Sequence, residues 1–330
     1  MKAVIVLSRY RRVTLGLLSW ACALAGMSFT GSALHAEGQT IPVGVARVDI
    51  TPEYPVRLSG FGGRRAESEG IRQRLWARAI AIGAGGGADS SANGGKPDGA
   101  KRSQQEDGDG PALLLTIDTL GVTDELLNET ARRLAAAGVR SDRLAMTATH
   151  THSAPMISKF VPTLFGEPIP AEHQAHIDRY TTELQDKLVE VALAALRDRQ
   201  PARLEYSLGE VGFARNRRTA NGPVDHDLML LRVKSPEGAL RAVYVSYACH
   251  CVTLSDNQIS GDWAGYAAEH LERQTPGCVA MVSIGCGADS NPSSGVTGSN
   301  ADAASAQGLE IAREVNRLSE QPGIVIAETP

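Results

Sequence analysis

The chain has 330 residues, 42% hydrophobic and 21% charged, which suits one large globular domain or two small ones and excludes a wholly disordered protein. A formal net charge of -4 leaves nucleic-acid binding without electrostatic support.

The first 36 residues have the pattern of an export signal. Lys2, Arg9, Arg11 and Arg12 precede an apolar run from Val13 to Met27, and a small-residue segment from Ser28 to Ala36 offers a cleavage site. The run is shorter than the roughly 20 residues of a spanning helix. The expectation is a signal peptide over residues 1–36 and an exported domain over 37–330, periplasmic or secreted. Four cysteines then remain, Cys249, Cys251, Cys278 and Cys286. They allow two disulfides or buried free thiols, and none has the pair spacing of a thiolate zinc site.

Gly83 to Gly110 holds almost nothing apolar and cannot offset the entropy of its own ordering. It is expected as a disordered insertion between strands Leu75–Ile82 and Ala112–Ile117. A helix follows Thr123 and closes at Gly138. Leu144–Thr149 forms a short strand. Ile177, Tyr180, Leu184, Leu188, Val191 and Ala195 recur at helical spacing, which predicts a long amphipathic helix over Ala171–Arg197, ended before Pro201. Strands are expected at Arg203–Leu208, Asp227–Val233 and Leu240–Tyr247. A helix near Trp263–Arg273, a strand Cys278–Ile284, a helix near Ala301–Leu318 and a strand Gly323–Ala327 complete the chain. This mixture predicts a layered α/β domain with a mixed β-sheet flanked by helices, and an active site at strand ends.

Chemistry-bearing residues gather at those ends. Thr149-His150-Thr151-His152-Ser153 places two histidines at i and i+2, a spacing that aims both imidazoles to one side of an extended segment. Two such groups suit a metal ion, or one ligand and one proton carrier. His250 ends the strand Leu240–Tyr247, Asp118 ends the strand at Ala112–Ile117, and Asp262 opens a helix. Ser290 lies in the turn Gly285-Cys286-Gly287-Ala288-Asp289-Ser290-Asn291-Pro292. Arg217 belongs to the basic run Arg215-Asn216-Arg217-Arg218, which is either a solvated patch or the source of one arginine aimed at an oxyanion.

In this order the residues resemble the neutral/alkaline (non-lysosomal) ceramidase family. The matching pieces are Gly44 to Pro52, Leu58-Ser59-Gly60-Phe61-Gly62-Gly63-Arg64, Gly70 to Ala79, Thr149 to Pro155, Asn216-Arg217, His250, Ser260-Gly261-Asp262 and Gly287 to Pro292. The resemblance covers about Val43 to Leu318. It implies a secreted or membrane-associated zinc amidase that hydrolyses the N-acyl amide of ceramide to a sphingoid base and a fatty acid. It implies His150 and His250 as zinc ligands, His152 as a proton carrier, Arg217 beside the scissile amide, and Ser290 as nucleophile or substrate contact. It also implies a lipid-like N-acyl substrate and possible association with a membrane surface. The serine loop departs from the family's Gly-Asp-x-Ser-Pro-Asn order. The family's remaining zinc ligands, a Glu and a Tyr, lie beyond the serine loop, in a region this sequence does not contain. The expectation is therefore a catalytic domain lacking its C-terminal part, with Asp118 or Asp262 as a further ligand within the chain. Two other functions fit the same residues: a hydrolase of another N-acyl or ester lipid, and a non-catalytic exported protein that binds metal or lipid.

Overall fold

The computed structural model describes residues 40–84 and 110–326. The leader read over residues 1–36 and most of the glycine-rich segment lie outside the described residues. The elements in chain order are β1 (Ile41–Asp49), β2 (Gly70–Ile71), β3 (Trp76–Ile82), β4 (Ala112–Ile117), α1 (Asp124–Leu134), β5 (Leu144–Ala148), α2 (Ala171–Arg197), β6 (Gln200–Glu210), β7 (Ala214–Asn216), β8 (Asp227–Lys234), β9 (Leu240–Tyr247), β10 (Gln258–Ile259), α3 (Asp262–Gln274), β11 (Val279–Ile284), β12 (Ser290–Pro292), α4 (Ala301–Ser319) and β13 (Ile324–Ile326).

Local chemistry accounts for the long elements. Thr123 caps α1 by accepting a hydrogen bond from the Leu126 N–H at 3.1 Å, and Gly138 ends the following turn in the left-handed region. The apolar stripe of α2 is buried, as its spacing predicts. The strand β1 has only a weak alternating pattern, too little for the sequence to predict it. Its place comes from tertiary pairing, with β3 on one side and β6 on the other.

One mixed sheet runs in the order β11-β9-β8-β6-β1-β3-β4-β5, with β13 also paired to β6. Its construction repeats. In the first half β1 pairs antiparallel with β3, β3 pairs antiparallel with β4, and α1 crosses over to a parallel β5. In the second half β6, β8 and β9 pair antiparallel in the same succession, and α3 crosses over to a parallel β11. A helix follows each unit, α2 after β5 and α4 after β11. Parallel neighbours need such crossovers, so each half ends in a βαβ unit.

The sheet folds back on itself, bringing β11 against β3, β4 and β5. Alternation along the strands then serves two cores. Val43, Ile80, Leu204, Val233 and Met281 fill the space between the halves. Ala77, Ala79, Leu113 and Leu115 face α1 and α2, while Val243, Val245, Tyr247 and Val282 face α3 and α4. The result is a layered α/β domain with helices outside, as the sequence predicts. Two small ladders, β10 with β2 and β12 with β7, stand apart from the main sheet.

The contact of α3 with α4 has little tolerance. A methyl group at Gly308 would stand 2.5 Å from the Ala267 nitrogen and 2.7 Å from the Tyr266 carbonyl carbon. These are backbone atoms, so the helices would have to separate. Gly308→Ala is expected to lower unfolding free energy by about 1–3 kcal/mol in urea titrations, despite alanine's better helix propensity. Gly63→Ala, where no atom lies within 4 Å, is expected to change it by less than about 0.5 kcal/mol.

Candidate metal centre

The parallel pair β4 and β5 ends at Ile117 and Ala148, and the parallel pair β9 and β11 ends at Tyr247 and Ile284. The fold-back brings the loops from these ends together. His150 lies two residues past β5 in the left-handed region, with φ of 59°. The segment is therefore not extended there, contrary to the simple i, i+2 reading. The turn at His150 and the loop after it still bring both rings to one place. The ring centroids of His150 and His250 are 4.7 Å apart, and those of His150 and His152 are 5.1 Å apart.

Backbone carbonyls orient two of the rings. His150 Nδ1–H donates to the Leu120 oxygen at 2.6 Å, and His250 Nδ1–H donates to the Gly287 oxygen at 2.8 Å. A carbonyl only accepts, so the proton sits on Nδ1 and each Nε2 keeps a free lone pair. His152 differs: both of its ring nitrogens are buried and neither has a hydrogen-bond partner. One donor nitrogen from each of the three histidines can be chosen so that all lie within 4.8 Å of one another. Burial lowers the pKa of all three, with Arg217 adding to the effect in each and neighbouring histidines adding to it for His152 and His250, and His152 is pushed down to about 3. At neutral pH the imidazoles are thus uncharged, the form that ligates a metal. Three neutral nitrogen donors around one point, one of them otherwise orphaned, fit a divalent transition metal.

Two segments hold the cluster. Ser59 to Arg64 lies beneath His152. Gly60 has φ of 80°, and a methyl group there would stand 2.7 Å from the His152 ring. The Phe61 ring meets His152 edge-on at 5.1 Å. The buried Arg64 guanidinium donates to the His152 carbonyl, to the Ser59 oxygen at 3.2 Å and to the Asp256 oxygen at 2.7 Å. Ser260 to Trp263 ties the two histidine loops together. Ser260 N–H donates to the Ser153 oxygen at 2.9 Å, Thr151 Oγ1 donates to the Ser260 oxygen at 2.8 Å, and Trp263 Nε1–H donates to the His250 oxygen at 2.9 Å.

The two aspartates expected as further ligands have other partners. Asp118 Oδ2 accepts from the Trp76 N–H at 2.8 Å and from Arg78 at 3.2 Å, in a buried ion pair. Asp262 uses both oxygens on backbone N–H groups, Oδ1 on Trp263 at 2.6 Å and Oδ2 on Leu254 at 2.8 Å. Neither belongs to the donor group, in which the third residue is His152. Both carboxylates organise the loops instead. The four described cysteines are free thiols, so no disulfide forms among them in any pairing: Cys249, Cys251 and Cys278 are buried and Cys286 is exposed.

Arg217 stands at the exposed rim, where Nε and Nη2 donate to the Ala288 oxygen at 3.0 and 2.8 Å. Ser290 is buried at the start of β12, and its carbonyl accepts from the His250 N–H at 2.9 Å. The structure thus places His150, His152, His250, Arg217 and Ser290 in one region and sets Asp118 and Asp262 behind it. Sequence reasoning assigned no role to Gly60, Phe61 or Arg64. The glycine-rich run Gly60-Phe61-Gly62-Gly63 was the available signal of a tight backbone approach. The carbonyls of Leu120 and Gly287 carry no signal in side-chain chemistry.

No family model matches the chain, and no curated protein sequence matches it. Solved structures are similar to it, two of them as follows. A ceramidase complexed with C2 superposes with a TM-score of 0.68 at 20% identity, over 88% of this chain and 45% of that one. The neutral ceramidase from Pseudomonas aeruginosa gives a TM-score of 0.67 at 21% identity, over 88% of this chain and 46% of that one. This chain spans about half the length of the structures it matches. The chain has a neutral ceramidase-like fold.

Proposed function

We propose that the chain carries the site of a zinc-dependent amidohydrolase acting on the N-acyl amide of ceramide or a related N-acyl lipid. The observation that carries this reading is the group of three neutral imidazoles with donor atoms within 4.8 Å, set at the strand ends of a ceramidase-like fold. Three nitrogen ligands with an open side suit a catalytic zinc. When bound, the ion supplies a Lewis acid for the amide carbonyl and activates water at neutral pH.

The chain's own residues then have distinct tasks. His150 and His250 present Nε2 without turning, because their Nδ1 protons are already held by carbonyls. His152 supplies the third nitrogen, and it alone of the three has no backbone bond fixing which nitrogen carries its proton. Arg217 is anchored through two nitrogens to the Ala288 carbonyl, leaving the third to face the oxygen that gains charge as the amide is attacked. Ser290, whose carbonyl fixes the His250 backbone, is read as a contact to the substrate. The basic and apolar leader supports an exported setting, with substrate drawn from a membrane surface.

Titration with Co2+ or Zn2+ is expected to show one tight site per chain, and His150→Ala or His250→Ala should each weaken it more than about 100-fold. Arg217→Ala should retain the metal while lowering kcat for fatty-acid release by about 10²–10³. A metal-loaded protein that releases no fatty acid from any N-acyl or ester lipid would replace this reading with non-catalytic metal or lipid binding. Gly60→Ala tests the support under His152. Its methyl group should displace the ring, alter the Co2+ visible spectrum and weaken metal affinity about 10–100-fold, the usual range for outer-shell changes.

A further inference from the structure

Next to the histidines, and outside the tasks just described, lies a cleft of about 660 Å³. One wall is the β7–β12 ladder, in which Arg215 faces Asn291 across the strands. Arg215, Arg217, Asn221, Asn291 and Val296 line the cleft. Arg215 from β7 and Arg217 just past its end both reach the cleft, and Asn216 between them lines it while donating to the Pro223 carbonyl at 2.9 Å and to Asp289 at 3.3 Å.

Among the described residues no carboxylate pairs with Arg215 or Arg217. The neighbouring acids are engaged elsewhere, Asp289 by Asn216 and Asp225 by the Asp227 N–H at 2.9 Å. In the same wall Asn291 Oδ1 is buried without a hydrogen-bond partner; it is an acceptor, so only the amide turned to present Nδ2 would donate to an anion. Arg217 belongs to both regions: its guanidinium is held by the Ala288 carbonyl, next to the Gly287 carbonyl that orients the His250 ring, and the Ser290 carbonyl that accepts from the His250 N–H precedes Asn291 of the cleft wall.

We propose that this cleft binds an anionic group, a carboxylate or a phosphate, on the amine half of the substrate, and that Arg215 selects for it. The proposal rests on the amidohydrolase reading for the orientation of the substrate. Guanidinium groups recognise both anions through paired N–H donors. Ceramide itself has hydroxyls and no anion, so the cleft points to acidic members of the N-acyl class, such as N-acyl amino acids or phosphorylated N-acyl amino alcohols.

Three probes with one acyl chain test this on the zinc-loaded full chain: N-lauroyl-glycine, N-lauroyl-O-phosphoethanolamine and the neutral N-lauroyl-ethanolamine. Affinity is measured by calorimetry and laurate release is followed in parallel. At least one anionic probe should bind about tenfold more tightly than the neutral one, and the preferred anion identifies carboxylate or phosphate. Arg215→Gln should remove that advantage. Arg218→Gln, which changes the same surface charge but does not line the cleft, should keep it. Equal affinity for the three probes, or equal losses in the two variants, overturns the proposal. Absence of laurate from every probe counts against the amidohydrolase reading alone, because the affinities still judge the cleft.

Discussion

The constraint on which the rest of the structure depends is the fold-back of a single sheet. Two parallel strand pairs, each made by its own βαβ unit, sit at the opposite ends of the strand order. Folding the halves face to face brings their carboxyl ends together, and His150 and His250, a hundred residues apart in sequence, become neighbours. Open α/β sheets often bind ligands beyond such ends, because the loops diverge there and leave room. Here two sets of ends share one space. Each of these two histidines is also tied to the other loop of its own parallel pair, His150 to Leu120 and His250 to Gly287. The pairing that builds each half thus sets the ring orientation as well.

Buried polar groups hold the fold-back in place. Arg78 of β3 reaches both Asp118, at the end of β4, and Glu272 of α3, linking elements of the two halves. Burial pushes the Asp118 pKa up while the Arg78 charge opposes the shift, so the carboxylate depends on its partner. Breaking such a pair leaves an uncompensated buried charge, which is far more costly than the pair is stabilising. A carboxylate at a strand end next to a site has two possible uses, ligand or strut, and in Asp118 the second prevails because Arg78 and the Trp76 N–H are within its reach.

Three of the six non-glycine residues with positive φ among the described residues lie around the same centre. Phe61, His150 and Asp262 all have φ between 54° and 59°, in a region that non-glycine residues seldom occupy. Each is held by its surroundings: Phe61 by the Arg64 guanidinium over its ring, His150 by the Leu120 carbonyl, and Asp262 by two backbone donors. Over-determination of this kind keeps strained residues in place at binding sites. It also leaves His152 as the one imidazole of the three whose nitrogens have no hydrogen-bond partner, a donor that could serve an ion.

The elements were largely readable in sequence because local periodicity and capping decide them. The stripe of α2, the cap at Thr123 and the β-branched runs of β8 and β9 all carried their own signals. The chemistry-bearing set His150, His152, His250, Arg217 and Ser290 was readable too, since these residue types stood at strand ends. What no local signal carries is which partner each polar group finds. Asp118 and Asp262 had the composition of ligands, and only the tertiary structure assigned them to backbone and to Arg78. Arg64 and Gly60 had no evident task until the chain placed them under His152. The short β1 pattern, the repeat of the two halves and the meeting of their ends follow from long-range pairing. The sequence by itself determined the segments and the donor types. The fold-back decided their convergence, because a hydrogen bond or an ion site depends on distances that only packing sets.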